Sequence, residues 1–237
     1  RNYKTNSTVL KNLTNIMLHR GPDAEGLEVD DWFAVSHRRL SIIDLDKSKQ
    51  PFKSADGRYV LVYNGEIYNY LELREELKSC GYKFCTLGDT EVIVHAFDRW
   101  GKDCIKFFEG MFAFVLIDRN KRKAFAARDQ LGIKPLFICE SQNGLILSSE
   151  VKPLLGIMSL SLRENALYEQ IVYRYVSGRK TIYLEVNRLP AGSFVFIDPW
   201  GKMHEKRYYD VLEPLHSGFL QPDYDKTYNK LKESIMR

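Results

Sequence analysis

Two apolar runs near the middle of the chain, residues 112–118 and Lys123–Arg128, are separated only by the polar turn Asp118-Arg119-Asn120-Lys121. A connection that short joins neighbouring strands in the antiparallel sense. The same device recurs at residues 136–139 and 145–148, around Gln142-Asn143-Gly144. Two strand-like runs precede these, at residues 32–37 and 59–64. The second contains Tyr59-Val60-Leu61-Val62-Tyr63, too β-branched and apolar for a surface helix, and must bury at least one face. Consecutive strands and tight turns therefore predict a largely antiparallel sheet.

Between these runs the hydrophobic period lengthens to that of a helix. Residues 7–19 place Val9, Leu10, Leu13, Ile16 and Met17 on one face, with Ser7 or Thr8 as cap and Gly21-Pro22 as stop. Tyr70–Ser79 sets Tyr70, Leu73 and Leu77 on one side and closes at Gly81, while Thr90–Trp100 follows Asp89 as its N-cap. A further helix is expected near residues 165–175, then a hairpin of residues 181–189 and 193–198 around Pro190-Ala191-Gly192. Residues 223–237 form an amphipathic helix with Tyr224, Tyr228, Leu231 and Ile235 in line. No stop signal closes it, so the parent chain is expected to continue. Central helices among antiparallel strands predict an α+β layered domain.

Composition narrows the class. At 237 residues the chain suits one large domain, or one domain and a fragment of a second, and 44% hydrophobic with 28% charged residues is ordinary for a soluble globular protein. No run of about 18 apolar residues occurs, and Arg1-Asn2-Tyr3-Lys4-Thr5-Asn6 is no secretory leader, so a cytoplasmic protein without a membrane partner is expected. The net charge of +4 is spread along the chain, and its densest run, residues 119–128, alternates with apolar residues, which argues against nucleic acid as a partner. Cys80, Cys85, Cys104 and Cys139 lack C-x2-C spacing and are expected to be buried reduced thiols, with no metal or disulfide role. G-x-S-x-G, Walker, H-E-x-x-H and dinucleotide glycine motifs are absent.

Several residues could carry chemistry, each with a plainer alternative. Asn64 and Gly65, where a buried strand runs toward a helix, could donate a side-chain amide and a backbone N–H to a developing oxyanion; Asn-Gly is also an ordinary turn. Arg39, between apolar neighbours, could clamp a carboxylate through two hydrogen bonds, or form a structural ion pair. Asp89 could hold an ammonium group, or simply cap its helix. His19-Arg20-Gly21-Pro22-Asp23 could edge a site, or stop a helix.

In order along the chain, His19-Arg20-Gly21-Pro22-Asp23, Arg39-Leu40-Ser41-Ile42-Ile43-Asp44, Asn64-Gly65-Glu66-Ile67-Tyr68-Asn69, Gly88-Asp89-Thr90-Glu91, Gly110-Met111-Phe112-Ala113-Phe114, Arg128-Asp129-Gln130-Leu131-Gly132-Ile133-Lys134-Pro135-Leu136 and Ser149-Glu150-Val151-Lys152 resemble the class II glutamine amidotransferase domain of glutamine-hydrolysing asparagine synthetases. The resemblance covers roughly residues 15 to 210. It implies an α-β-β-α sandwich of two antiparallel sheets, of the N-terminal-nucleophile type. It also implies that glutamine is hydrolysed by an N-terminal cysteine, its α-amine acting as base, with ammonia passing to a second domain that activates aspartate with ATP. Carried over by motif, Arg39 would bind the glutamine α-carboxylate, Asp89 with Glu66 its α-amino group, and Asn64 and Gly65 would form the oxyanion hole.

The resemblance divides the chain into a glutaminase domain, residues 1–210, and a linker with the first helix of a synthetase domain, residues 211–237. The first domain would need no cofactor; ATP and magnesium would belong to the second. Glutamine and that second domain are the implied partners, and members of this family often form dimers. The chain opens at Arg1 without the family's Cys-Gly-Ile strand, and Cys80, Cys85, Cys104 and Cys139 carry no free α-amine. About ten preceding residues are therefore expected. The alternatives are a non-catalytic scaffold in a related amide or lactam synthetase, or a glutamine-sensing module.

Overall fold

In the computed structural model, which describes residues 6–40, 49–141, 144–212 and 223–236, the alternation of side chains along two long strands organises the fold. Strand β4 (Tyr59–Ile67) runs antiparallel to β5 (Gly110–Asp118) over its whole length. They lie within a six-stranded antiparallel sheet ordered β11-β10-β6-β5-β4-β3, completed by β3 (Phe52–Lys53), β6 (Lys123–Arg128), β10 (Ser193–Ile197) and β11 (Met203–Arg207). One face presents Tyr59, Leu61, Tyr63, Ile67, Phe112, Phe114, Leu116 and Phe125 to α2 (Tyr70–Ser79) and α3 (Thr90–Trp100) through Leu73, Leu77, Val92, Ile93 and Ala96. Each such buried side chain contributes about 1.5–3 kcal/mol in apolar transfer, which makes this interface the main core.

The other face is covered by two smaller sheets. Val60, Ile117 and Ala124 pack against Trp32, Phe33 and Val35, at and beside the turn between β1 (Ala24–Val29) and β2 (Ala34–Arg39). Ala113, Ala126 and Val195 pack against Leu136, Ile138 and Leu189, around a sheet ordered β8-β7-β9: β7 is Phe137–Ser141, β8 Gly144–Ser148 and β9 Val186–Arg188. Outside these lie α1 (Ser7–Ile16), against β1, β2 and the short α4 (Lys152–Leu155), which buries Leu154 with Cys139 and Val186. The layers run α-β-β-α. Helix α5 (Glu164–Tyr173) and the terminal α6 (Tyr224–Met236) complete the described elements, and α6 has no buried residue.

Helices Tyr70–Ser79 and Thr90–Trp100 and strand Lys123–Arg128 have the limits the sequence predicts. Elsewhere the structure corrects it. Helix α1 ends at Ile16, with a single 3-10 turn after it, and its cap is Asn6, whose side chain accepts the Thr8 N–H at 2.8 Å, rather than Ser7 or Thr8. Residues 181–189 and 193–198 are no hairpin: β9 pairs with β7, whereas β10 joins the large sheet beside β6. Cys104 and Cys139 are buried as expected, but Cys80 and Cys85 are exposed, and all four thiols are free. Gln142, Asn143 and the stretch from Ser41 to Asp44 lie outside the described residues, as does most of the segment between β11 and α6.

Candidate active site on the free edge of a central strand

Asn64 and Gly65 do not form a turn. Strand β4 continues through them to Ile67, pairing Asn64 with Ala113 and Gly65 with Phe112. A Cβ built on Gly65 would lie 2.1 Å from the Met111 carbonyl oxygen, and one on Gly110 2.1 Å from that of Glu66, so two glycines let the strands close at this end. The alternative of an ordinary turn is thus overruled by strand pairing that only glycine permits.

Successive residues of an antiparallel strand aim their backbone groups at opposite neighbours. On β4 the odd-numbered residues turn away from β5. Leu61 pairs with Phe52 of β3, Tyr63 donates its N–H to Gln50 Oε1 at 2.6 Å and accepts from Gln50 Nε2 at 2.9 Å, and Ile67 donates to Asp89 Oδ2 at 3.0 Å. Strand β3 reaches no further than Leu61. Gly65 N–H therefore points away from β5, to an edge where no described strand residue pairs with it, between the Gln50 amide and the Asp89 carboxylate. Asn64 and Glu66 share the sheet face opposite Tyr63 and Ile67, both half-buried.

Asp89 occupies the N-cap position of α3 yet makes no side-chain cap hydrogen bond there, which corrects the expectation of a helix cap. Its carboxylate is 6% exposed and turns to β4, accepting from Tyr63 OH at 2.6 Å and from Ile67 N–H. Burial pushes its pKa above the ordinary carboxylate value, and these two donors pull it back only in part. Burial and the neighbouring carboxylate together push the Tyr63 phenol well up, so it remains a donor. The loop that presents Asp89 is gripped from both helices. Arg74 of α2, 5% exposed, donates to the carbonyls of Thr86 (2.6 Å) and Gly88 (2.7 Å). Glu91 of α3 takes the N–H groups of Cys85 and Thr86 and the Thr86 hydroxyl, and against the upward push of burial the His95 side chain and these donors hold its pKa down at about 2.

Arg39 ends β2, half-buried as expected. Val35, His37 and Arg39 share one face of that strand, and Val35 packs in the cluster with Val60. Gly26, paired with His37, lies so close to Gln50 that a Cβ there would stand 2.0 Å from its carbonyl oxygen, and Gln50 in turn pairs with Tyr63. Arg38, on the opposite face, serves α1: it donates to Thr14 O and Asn15 Oδ1 and pairs with Glu25. Gly21 rests on the Arg38–Arg39 peptide, and Asp23 N–H donates to Arg39 O at 3.1 Å, so the His19–Asp23 loop buttresses the arginine's backbone. Burial first, then the Arg39 charge, depress the His37 pKa to about 4 and keep this imidazole neutral.

Three other sequence motifs prove to be braces. Glu150 joins His19 (2.9 Å) and Arg20, linking the first motif to the last. Arg128 donates to the carbonyls of Gly132, Lys134 and Leu189, and Asp129, 1% exposed, collects the N–H groups of Phe112, Leu131, Ile133 and Lys134. Gln50 and Tyr63 were not singled out by sequence. Tyr63 reads as one more aromatic in an alternating strand, and Gln50 as a loop residue before a proline. Among the described residues no group of three or more His, Cys, Asp or Glu side chains could hold a metal ion, and no helix is long and apolar enough to cross a membrane.

A six-stranded antiparallel sheet facing two smaller antiparallel sheets between outer helices, with polar groups gathered on one edge of a central strand, makes an α-β-β-α sandwich. Residues 1–209 match the glutamine amidotransferase domain family, and the chain belongs to that family. It is 33% identical over 229 residues to asparagine synthetase (glutamine-hydrolyzing) 1 of Bacillus subtilis, covering 96% of this chain and 35% of that protein. To a putative asparagine synthetase (glutamine-hydrolyzing) of Mycobacterium tuberculosis it is 40% identical over 210 residues, covering 81% and 32%. Among solved structures, glutamine phosphoribosylpyrophosphate amidotransferase from B. subtilis shares the fold with a TM-score of 0.63 at 19% identity, over 87% of this chain and 47% of that one. The chain spans about a third of the length of the curated relatives it matches.

Proposed function

We propose that residues 1–210 are the glutaminase domain of an amide-forming synthetase, with residues 211–237 leading into its ATP-dependent synthetase domain. Glutamine is hydrolysed to glutamate and ammonia, and the ammonia is used by the second domain to convert aspartate to asparagine. The observation that carries this reading is that Gly65 N–H turns away from β5, next to Asn64 in the chain and between the Gln50 amide and the Asp89 carboxylate, with no described strand residue paired to it, in a chain of the amidotransferase family.

A thiolate adds to the glutamine side-chain carbonyl, and the oxygen that becomes negative is met by the two donors, Asn64 Nδ2 and Gly65 N–H. Collapse expels ammonia and leaves a thioester, which water cleaves to glutamate. Arg39 takes the α-carboxylate as a two-pronged donor, and Asp89, ionised in this role and assisted by Glu66, takes the α-ammonium. The nucleophile is an N-terminal cysteine with its own amine as base. Cys104 is excluded by a thiol that burial pushes far above neutrality, and Cys80, Cys85 and Cys139 by lack of that amine. ATP and magnesium serve the second domain and enter no step here. The relatives' biosynthetic role supports a cytoplasmic setting.

The test is to incubate the native full-length protein with glutamine and measure glutamate and ammonia together. Stoichiometric release is expected, with Arg39→Ala raising KM for glutamine by roughly 30-fold or more, as loss of a charged clamp of about 2 kcal/mol predicts. Glutamine binding without release would support the sensing module instead. Neither binding nor release would leave a scaffold.

A further inference from the structure

The edge of β4 that carries Gly65 passes from a strand to side chains. Pairing with β3 stops at Phe52 opposite Leu61, and two residues on, the Tyr63 peptide exchanges both its hydrogen bonds with the Gln50 side chain, at 2.6 and 2.9 Å. A carboxamide offers the same donor and acceptor as a peptide, so Gln50 supplies one rung of a ladder and no more. Another strand residue there would extend the ladder to the next outward-facing group, the Gly65 N–H, and consume it. An edge left bare would free the Tyr63 peptide to pair elsewhere. Gln50 is itself anchored by backbone: a Cβ on Gly26 would lie 2.0 Å from its carbonyl oxygen and 2.9 Å from Pro51 Cδ, so β1 packs directly on this segment. On the far side Asp89 takes the Ile67 N–H. Gly65 is bracketed between a carboxamide and a carboxylate.

We propose that Gln50 is a positioning residue for amide hydrolysis, ending the β4 ladder at Tyr63 and holding the Gly65 N–H unpaired and aimed at the substrate oxygen. This rests on the glutaminase reading of the site. Gln50 touches no reacting atom; it acts through the Tyr63 peptide, next to Asn64 in the chain. Core packing does not account for it, since the half-buried Gln50 side chain directs both polar ends to a single backbone position.

The experiment compares full-length native protein with Gln50→Ala and Gln50→Glu, the second keeping an acceptor for Tyr63 N–H while setting a carboxylate against the Tyr63 carbonyl. Steady-state glutamate release and peptide-resolved hydrogen exchange over β4 are measured. An oxyanion donor is worth about a hundred- to a thousandfold in kcat, and a displaced donor retains part of that. Both variants are therefore expected to lose at least about tenfold in kcat, with KM for glutamine within about threefold because Arg39 and Asp89 are untouched. Exchange should quicken in the β4 peptide of Gln50→Ala and not in α3. A Gln50→Ala protein with kcat within threefold of wild type overturns the proposal, as does a loss confined to KM. If Gln50→Ala does not fold, Gln50→Glu is judged by the same criterion. Wild-type protein that releases no glutamate overturns the glutaminase reading and this inference with it, whereas active variants overturn this inference alone.

Discussion

Asp89, the residue proposed to hold the substrate ammonium, works against the fold that holds it. Burial raises its pKa, so the folded protein prefers the neutral acid relative to the unfolded chain. Its contribution to stability is fully present below the unfolded pKa, near 3.9, and is lost as pH rises through the folded value. Asp89→Asn imitates the neutral acid, and its amide oxygen can still accept from Tyr63 OH and Ile67 N–H. The variant should therefore melt higher than wild type at pH 7, with the gap closing by pH 3, while glutamine affinity drops by roughly 30-fold or more for want of the ammonium's counter-charge. Melting curves at the two pH values and calorimetric titration decide it, and a variant less stable at both would refute the sign. Residue chemistry alone marked Arg39, Asn64, Gly65 and Asp89 as candidates with plainer alternatives; the resemblance carried by the seven motifs in order is what gave them roles and added Glu66. Sequence could not show that Asp89 turns from its helix to Tyr63 and Ile67, nor that Gln50 stands in for a strand, since both depend on partners distant in the chain.

At the scale of elements, the turn between α2 and α3 is the piece most dependent on buried polar side chains. Glu91 collects three donors from Cys85 and Thr86, and Arg74 holds the carbonyls of Thr86 and Gly88. Glu91, 4% exposed with a pKa of about 2, contributes stability that is present above its unfolded pKa near 4.3 and is lost as pH falls toward 2. Glu91→Gln should cost roughly 2–3 kcal/mol at pH 7 by urea denaturation, with the difference narrowing below pH 4.5. Equal loss at pH 7 and pH 3 would show that the charge is irrelevant. Helices α2 and α3 were legible residue by residue because their apolar period coincides with an unambiguous stop and start. Strands β1 and β11 were not: Ala24–Val29 alternates around two glutamates and a glycine, and Met203–Arg207 is a charged edge strand whose last four residues are exposed. Strand β9 was read as the partner of β10 because a tight Pro-Ala-Gly connection favours a hairpin. The chain instead crosses there from one sheet to the other, a step that local pattern does not encode.

The whole molecule divides energetically before it divides by length. Among the described residues every hydrophobic cluster lies within residues 32–208, joining the six-stranded sheet to α2 and α3 on one side and to the smaller sheets on the other. Helix α6, by contrast, exposes Tyr224, Tyr228, Leu231 and Ile235, the in-line residues that the sequence marks as a buried face. An amphipathic helix that buries none of its apolar stripe adds almost nothing to the stability of its neighbours, since helices of this length draw their stability from packing. A polypeptide ending at residue 210 should therefore unfold within about 2 °C of one ending at 237, because a difference of 1 kcal/mol moves the midpoint of a domain of this size by about 2–4 °C. On the proposed domain order, the same helix is expected to be protected from hydrogen exchange in the full-length protein, its stripe covered by the proposed synthetase domain. A midpoint lowered by 5 °C or more on truncation at 210 would assign α6 to the glutaminase fold and move the domain boundary beyond it.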